Sequence, residues 1–149
     1  MKVTRILDAI QSFTTDHREA LDQIGETVIL KRIQQTFREE GTPRWAPLAP
    51  RTLEERRKKG FGPGPILQRT GELMREASSK ASQHMAYILK PRELTISLDP
   101  TFEKFQHQFG WSGVPFIPAR PFFYVTVQDE ERAMDVLALA LTKRVQAAL

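Results

Sequence analysis

Between Gly41 and Pro65 the chain carries Pro43, Pro47, Pro50, Pro63 and Pro65, together with Gly60, Gly62 and Gly64. Proline removes a backbone donor and glycine weakens any regular element, so this stretch cannot continue a helix or a central strand through its length. It reads as an extended arm or long loop. Only Thr52 to Lys59 within it is suited to about two helical turns, with Thr52 as cap, Glu54 and Glu55 near the positive end and the basic residues near the negative end. A mostly structureless loop of that length inside a compact domain is uncommon and is usually functional or ordered by a partner. Because the chain has 149 residues, against roughly 150 for one domain, we expect a single domain over 1–149 with 41–65 as its arm.

The same stretch holds the charge asymmetry. Arg44, Arg51, Arg56, Arg57, Lys58 and Lys59 oppose only Glu54 and Glu55, an excess of +4 that equals the net charge of the whole chain. Steering of a polyanion would therefore start from this basic patch. Hydrophobic residues make up 40% of the chain, which excludes wholesale disorder, and no apolar run approaches the ~20 residues of a membrane span. Asp8 interrupts the segment that a signal peptide would keep apolar, and the absence of cysteine agrees with a reducing compartment.

Outside the arm the periodicities are mostly helical. Val3, Ile6, Leu7, Ile10 and Phe13 are spaced for a first helix. Asp16 and Glu19 resemble a capping box for a longer helix, in which Leu21, Ile24, Val28, Ile33 and Phe37 share a face until Gly41. Gly25 inside it predicts a close approach or a kink. A helix is expected from Thr70 to about Lys80, then strands at Met85–Leu89 and Leu94–Leu98 joined at Pro91 as an antiparallel hairpin, the second showing the clearer alternation. Phe102, Phe105 and Phe109 suit a short helix ending at Gly110. The prolines from Val114 to Phe122 allow only loop or sheet edge, Phe122 to Val125 forms a last short strand, and Thr126 with Asp129 starts a final helix. Met134, Leu137, Leu141 and Val145 line one face of that helix, while Val136, Leu139 and Ala140 widen its apolar surface beyond one core contact. The expected fold class is α+β: a small antiparallel sheet of about three to four strands packed by N-terminal and C-terminal helices, carrying the long Pro/Gly-rich basic arm.

Catalytic patterns are missing. His17, His84 and His107 are scattered without zinc spacing, no serine sits in a Gly-x-Ser-x-Gly elbow, and no cysteine is present. The pairs Glu39-Glu40, Glu54-Glu55 and Glu130-Glu131 are sequence neighbours that diverge on a helix, so they read as solvated faces. Gly60 to Pro65 lacks the Gly-Lys-Ser/Thr ending of a phosphate loop, and its prolines remove the amides that would hold phosphate. We therefore expect no enzyme, no cofactor and no metal. His107, beside Gln106 and Gln108, is assigned a structural hydrogen-bonding role, as are Gly110, Pro118 and Pro121 in holding backbone shape. Trp45 and Leu48 either fold back on the core or anchor to another subunit. Arg120, between Pro118 and Pro121, has a restricted backbone and could pair with a carboxylate of its own chain or of a neighbour. Trp45, Leu48, Arg51, Arg56, Arg57, Phe61 and Arg120 are the candidate interface residues.

Four segments occur in order: Gly41-Thr42-Pro43-Arg44-Trp45-Ala46-Pro47-Leu48 with Thr52, Ile66-Leu67-Gln68-Arg69-Thr70-Gly71-Glu72-Leu73, His107-Gln108-Phe109-Gly110, and Ile117-Pro118-Ala119-Arg120-Pro121-Phe122. Together they resemble the Mu-like phage virion morphogenesis, or tail completion, family over about Gly41 to Phe123. The resemblance implies a non-enzymatic virion protein at the neck or top of the tail, as tail completion, tail terminator or head-tail joining protein. It implies host cytoplasm during assembly, other phage neck or tail proteins as partners, and homo-oligomeric rings of about six copies; the 41–65 arm, with Trp45 and Leu48 entering a pocket of the next subunit, would close such a ring through heterologous arm-to-neighbour contacts. Non-specific contact with DNA in a channel is a further expectation for the basic patch, although DNA that must slide cannot be held tightly. A transient assembly factor absent from the mature virion and a small basic nucleic-acid-binding module are the alternatives.

Overall fold

The computed structural model describes residues 2–113 and 115–149, with the side chains of Lys2 and Val3 excepted. The readings placed on the Val3 side chain and on Val114 thus lie outside the described residues. The elements run α1 (Lys2–Thr15), α2 (Arg18–Ile24), a π-helical turn (Gly25–Leu30), α3 (Lys31–Glu39), α4 (Pro50–Lys58), α5 (Glu72–Ser78), β1 (Met85–Lys90), β2 (Glu93–Leu98), a 3-10 helix (Glu103–Gln108) and α6 (Val127–Ala147). The fold is mixed helix and sheet, with helices at both ends. Among the described residues the sheet has two strands, β1 and β2, rather than three to four. The residues group into two compact units, Met1–Ile29 with Tyr87–Ile96 and Val125–Leu149, and Leu30–Ala86 with Ser97–Tyr124.

In the first unit α6 packs against α1 and α2. Its packed face carries Val136, Leu137, Ala140, Leu141 and Val145, all half-buried, and not Met134, which is exposed. The helix is apolar over more than one stripe, so periodicity alone offers two faces and the neighbouring helices choose between them. Its start is as expected: the Thr126 hydroxyl accepts from the Asp129 N–H while the Asp129 carboxylate accepts from the Thr126 N–H, a capping box around a buried carboxylate. The expected box at Asp16 and Glu19 does not form. The helix begins at Arg18, so Asp16 lies one residue too early and instead accepts from the Arg18 N–H at 3.0 Å and from its guanidinium.

Gly25 shows why glycine stands inside a helix. A Cβ there would run into the Tyr87 hydroxyl and come within 2.9 Å of Leu94 Cδ2. Tyr87 closes over that spot and donates to Asp22 Oδ1 at 2.7 Å. Burial, aided by the Asp22 carboxylate, pushes the Tyr87 phenol above its usual range, so it stays a donor. Strict alternation of burial is found in β1, where Met85, Tyr87 and Leu89 turn inward, while β2 is half-buried on both faces.

The second unit is built on aromatic contacts. The Phe37 ring lies 5.5 Å from Trp45, edge to face, and 5.2 Å from Phe122, which in turn meets Phe105 at 6.0 Å. Leu30, Ile33, Ile66, Leu73, Ala77 and Met85 complete its buried apolar set. The 3-10 helix has three residues per turn, so Phe102 and Phe105 share a side and Phe109 rotates away from it. Phe105 is buried and Phe109 is 83% exposed.

Candidate functional site

A cleft of about 940 Å³ opens in the second unit. Its walls come from the four segments singled out in the sequence, and the structure shows how each is held. Trp45 folds back: its ring packs on Phe37 and its indole N–H donates to the Pro121 carbonyl at 2.9 Å. Leu48 is half-buried on the cleft wall. Arg120 is 5% exposed, and its guanidinium takes no carboxylate among the described residues. Instead Nε and Nη2 donate to the Ala46 carbonyl, both at 3.1 Å, and Nη2 reaches Pro47 at 3.2 Å. The planar fork suits these two consecutive carbonyls because its donors are held in fixed directions, where an ammonium's three donors would have to be ordered one by one. Trp45 and Arg120 thus tie the first segment to the last by crossed bonds.

The stretch from 41 to 65 is tied down twice more within this unit. Glu40 Oε1 accepts from the Ile66 N–H at 2.7 Å while its Oε2 accepts from Arg44 at 2.7 Å. The Ile66 amide, followed by Arg44, holds the Glu40 carboxyl below the usual range. The Arg56 guanidinium is buried and donates to the carbonyls of Pro63 and Pro65 at 3.0 and 3.3 Å. Helix α4 starts at Pro50, with Ala49 as N-cap, rather than at Thr52; the fixed φ of proline suits the first helical position, where its missing N–H costs nothing.

The expected strand at Phe122 to Val125 has no ladder because a side chain takes the place of a neighbouring strand. Gln108 Oε1 accepts from the N–H groups of Phe122 and Phe123 at 2.8 and 2.9 Å, and its Nε2 donates to the Phe123 carbonyl at 3.2 Å. Sequence reasoning placed Gln108 only as a neighbour of His107, and its presence in the third segment was the available signal. Burial, and secondarily the charge of Arg120, lower the His107 pKa, so its ring stays neutral, while its carbonyl accepts from the Arg120 N–H at 2.7 Å. Gly110 has φ of +72°, and a Cβ there would sit 2.6 Å from the Ile117 carbonyl oxygen. That close approach lets Trp111 and Ile117 pair as an antiparallel bridge.

Leu67, on the cleft wall, has φ of +61°. A leucine in the left-handed region costs about 1–3 kcal/mol, and its neighbours hold it there: Ile66 through Glu40, and Gln68 through a 2.7 Å bond to the Phe37 carbonyl. Three apolar residues near the cleft remain uncovered. Phe116, which lines it, is 71% exposed, and Trp111 and Phe109 are 59% and 83% exposed.

The basic patch is dispersed by the fold. Arg44, Arg51 and Lys58 pair with Glu40, Glu55 and Glu54 at 2.7, 3.3 and 2.9 Å, and Arg56 is buried. Arg57 and Lys59 are exposed and make no ion pair among the described residues. Phe61 lies beneath the Arg69 guanidinium, 5.3 Å from its ring centre. No three His, Asp or Glu side chains gather as a metal group among the described residues, and no described helix is long and apolar enough to cross a membrane. What the arrangement offers is a largely apolar recess with cations on its walls.

The model of the phage virion morphogenesis family matches the chain over residues 1–142. No curated protein and no solved structure matches.

Proposed function

Because the chain belongs to the phage virion morphogenesis family, and so has a virion-related role, we propose that it is a structural, non-catalytic component at the neck or top of the tail. In this reading it completes the tail or joins it to the head, and it works as a ring, each copy contacting a different surface of the next. The observation that carries the reading is the cleft. Four contacts around it, made by Trp45, Arg56, Gln108 and Arg120, hold the segments that wall it. Beside it Phe109, Trp111 and Phe116 expose aromatic surface that a solitary chain gains nothing by leaving wet. Since Trp45 is occupied inside its own unit, the contact with a neighbour falls to the cleft rather than to the tip of an arm. The nucleic-acid alternative is weakened by the ion pairs that neutralise much of the basic patch.

The test is made on phage. Particles purified from the parent and from a phage lacking this gene are compared by quantitative mass spectrometry and electron microscopy. We expect a small fixed number of copies per particle, and separate heads and unfinished tails when the gene is missing. Normal particles without the gene, or parent particles lacking the protein, would overturn the reading.

A further inference from the structure

We propose that the cleft of the second unit receives the first half of α6 from a second copy of the chain. The inference rests on the ring reading and names both sides of its contact. The charged residues lining the cleft are Arg51, Arg56, Arg69, Lys104 and Arg120 against the single carboxylate of Glu55. Arg51 pairs with Glu55 and Lys104 with Glu72 from outside the lining, while among the described residues Arg56 and Arg120 meet only backbone carbonyls and keep their charge uncompensated. Arg69 makes no ion pair among the described residues. Between these cations the lining is apolar, with Leu48, Leu67, Leu73 and Phe116. An occupant should therefore be apolar along one stripe and acidic beside it.

The chain itself carries such a surface. In α6 the exposed residues Val127, Glu130, Glu131, Met134 and Ala138 fall at i, i+3, i+4, i+7 and i+11, one continuous helical face. Val127 and Met134 are 70% and 65% exposed, although the helix already packs its other face on α1 and α2. Glu130, Glu131 and the adjoining Asp135 outnumber the one nearby cation, Arg132. Two apolar side chains one helical repeat apart, flanked by carboxylates, match an apolar cleft flanked by guanidinium groups. This is the helix-in-groove mode of recognition. A volume of about 940 Å³ stands near the top of the roughly 300–1,000 Å³ range of ligand recesses, enough to admit side chains from two turns. Cleft and helix are different surfaces, so the contact is heterologous and repeats from copy to copy.

The chain contains no cysteine, so single introduced thiols are unambiguous. Full-length Thr52→Cys and Glu131→Cys variants, one on each proposed surface, are mixed and treated with a short bismaleimide at high protein concentration. We expect the mixed dimer to exceed either same-variant dimer. Adding Arg51→Glu and Arg69→Glu to the first variant should lower its yield about tenfold, and adding Glu130→Lys and Asp135→Lys to the second should restore it. A mixed product no more abundant than the same-variant dimers overturns the inference. If light scattering on such samples still shows a larger assembly, the ring reading stands and its contact lies elsewhere. If purified particles hold the protein only as isolated copies, the ring reading fails as well. A cross-link from the Thr52→Cys variant to a different virion protein makes that protein the occupant and overturns the second-copy assignment.

Discussion

Replacing Gln108 tests whether a side-chain amide substitutes for a strand in the second unit. Its Oε1 accepts from two consecutive backbone N–H groups, those of Phe122 and Phe123, and Phe122 is fully buried. In Gln108→Met both donors lose their acceptor. An orphaned buried N–H costs about 1–3 kcal/mol; we take about 2 for Phe122 and about 1 for the half-buried Phe123, where water has partial access. The added apolar burial of methionine returns up to about 1 kcal/mol, so the net loss is about 2 kcal/mol. Gln108→Glu keeps the acceptor for both groups and loses only the donated bond to the Phe123 carbonyl, a cost of about 0.5–1.5 kcal/mol offset by the stronger charge-assisted bonds it accepts. Urea unfolding followed by tryptophan fluorescence separates the two, since Trp45 is buried on Phe37 and reports on this unit. At a slope of about 2 kcal/mol per molar, Gln108→Met should lower the midpoint by about 1 M with unchanged slope, and Gln108→Glu by less than half of that. Equal losses in the two variants would refute the reasoning, because then the acceptor would not be what matters.

Arg120→Met should cost only about 1–2 kcal/mol, because Ala46 and Pro47 are exposed and water can replace the guanidinium at their carbonyls; a fall in Tm of about 3–6 °C would show it. Gly25→Ala should destabilise by about 1 kcal/mol even though alanine favours helix, since the new Cβ meets the Tyr87 hydroxyl and ring, and the loss should shrink in a Tyr87→Phe background, measured as a double-mutant cycle in urea. The His107 pKa is lowered in the folded chain, so the unfolded chain binds the proton more readily: its contribution to stability is complete above the ordinary value of 6.5 and is lost as pH falls below it toward the folded-state value. The urea midpoint should therefore drop between about pH 7.5 and 5.5, and His107→Asn should flatten that drop.

Much of the helical framework was legible because it depends on neighbours in sequence. The end of the long helix at Gly41, the start of α6 at Thr126 and the hairpin around Pro91 all follow from spacings of a few residues, the range over which caps, turns and periodicity act. The misplaced features were those with competing local solutions. Pro50 took the helix start from Thr52, Arg18 drew Asp16 out of its capping role, and 3-10 winding turned Phe109 outward. For the candidate site, the four segments could be read as important without their contacts being readable.

By itself, then, the sequence determined most of the helices, the hairpin and which family the chain resembles. Only the tertiary structure decided what the singled-out residues do: Trp45 turned inward to a carbonyl 76 positions away, Arg120 spent its fork on carbonyls 74 and 73 positions away, and Gln108 stood in for a strand. A buried donor takes whichever acceptor the packed chain brings within about 3 Å, and every peptide unit offers the same carbonyl, so no residue type in the sequence marks the partner in advance.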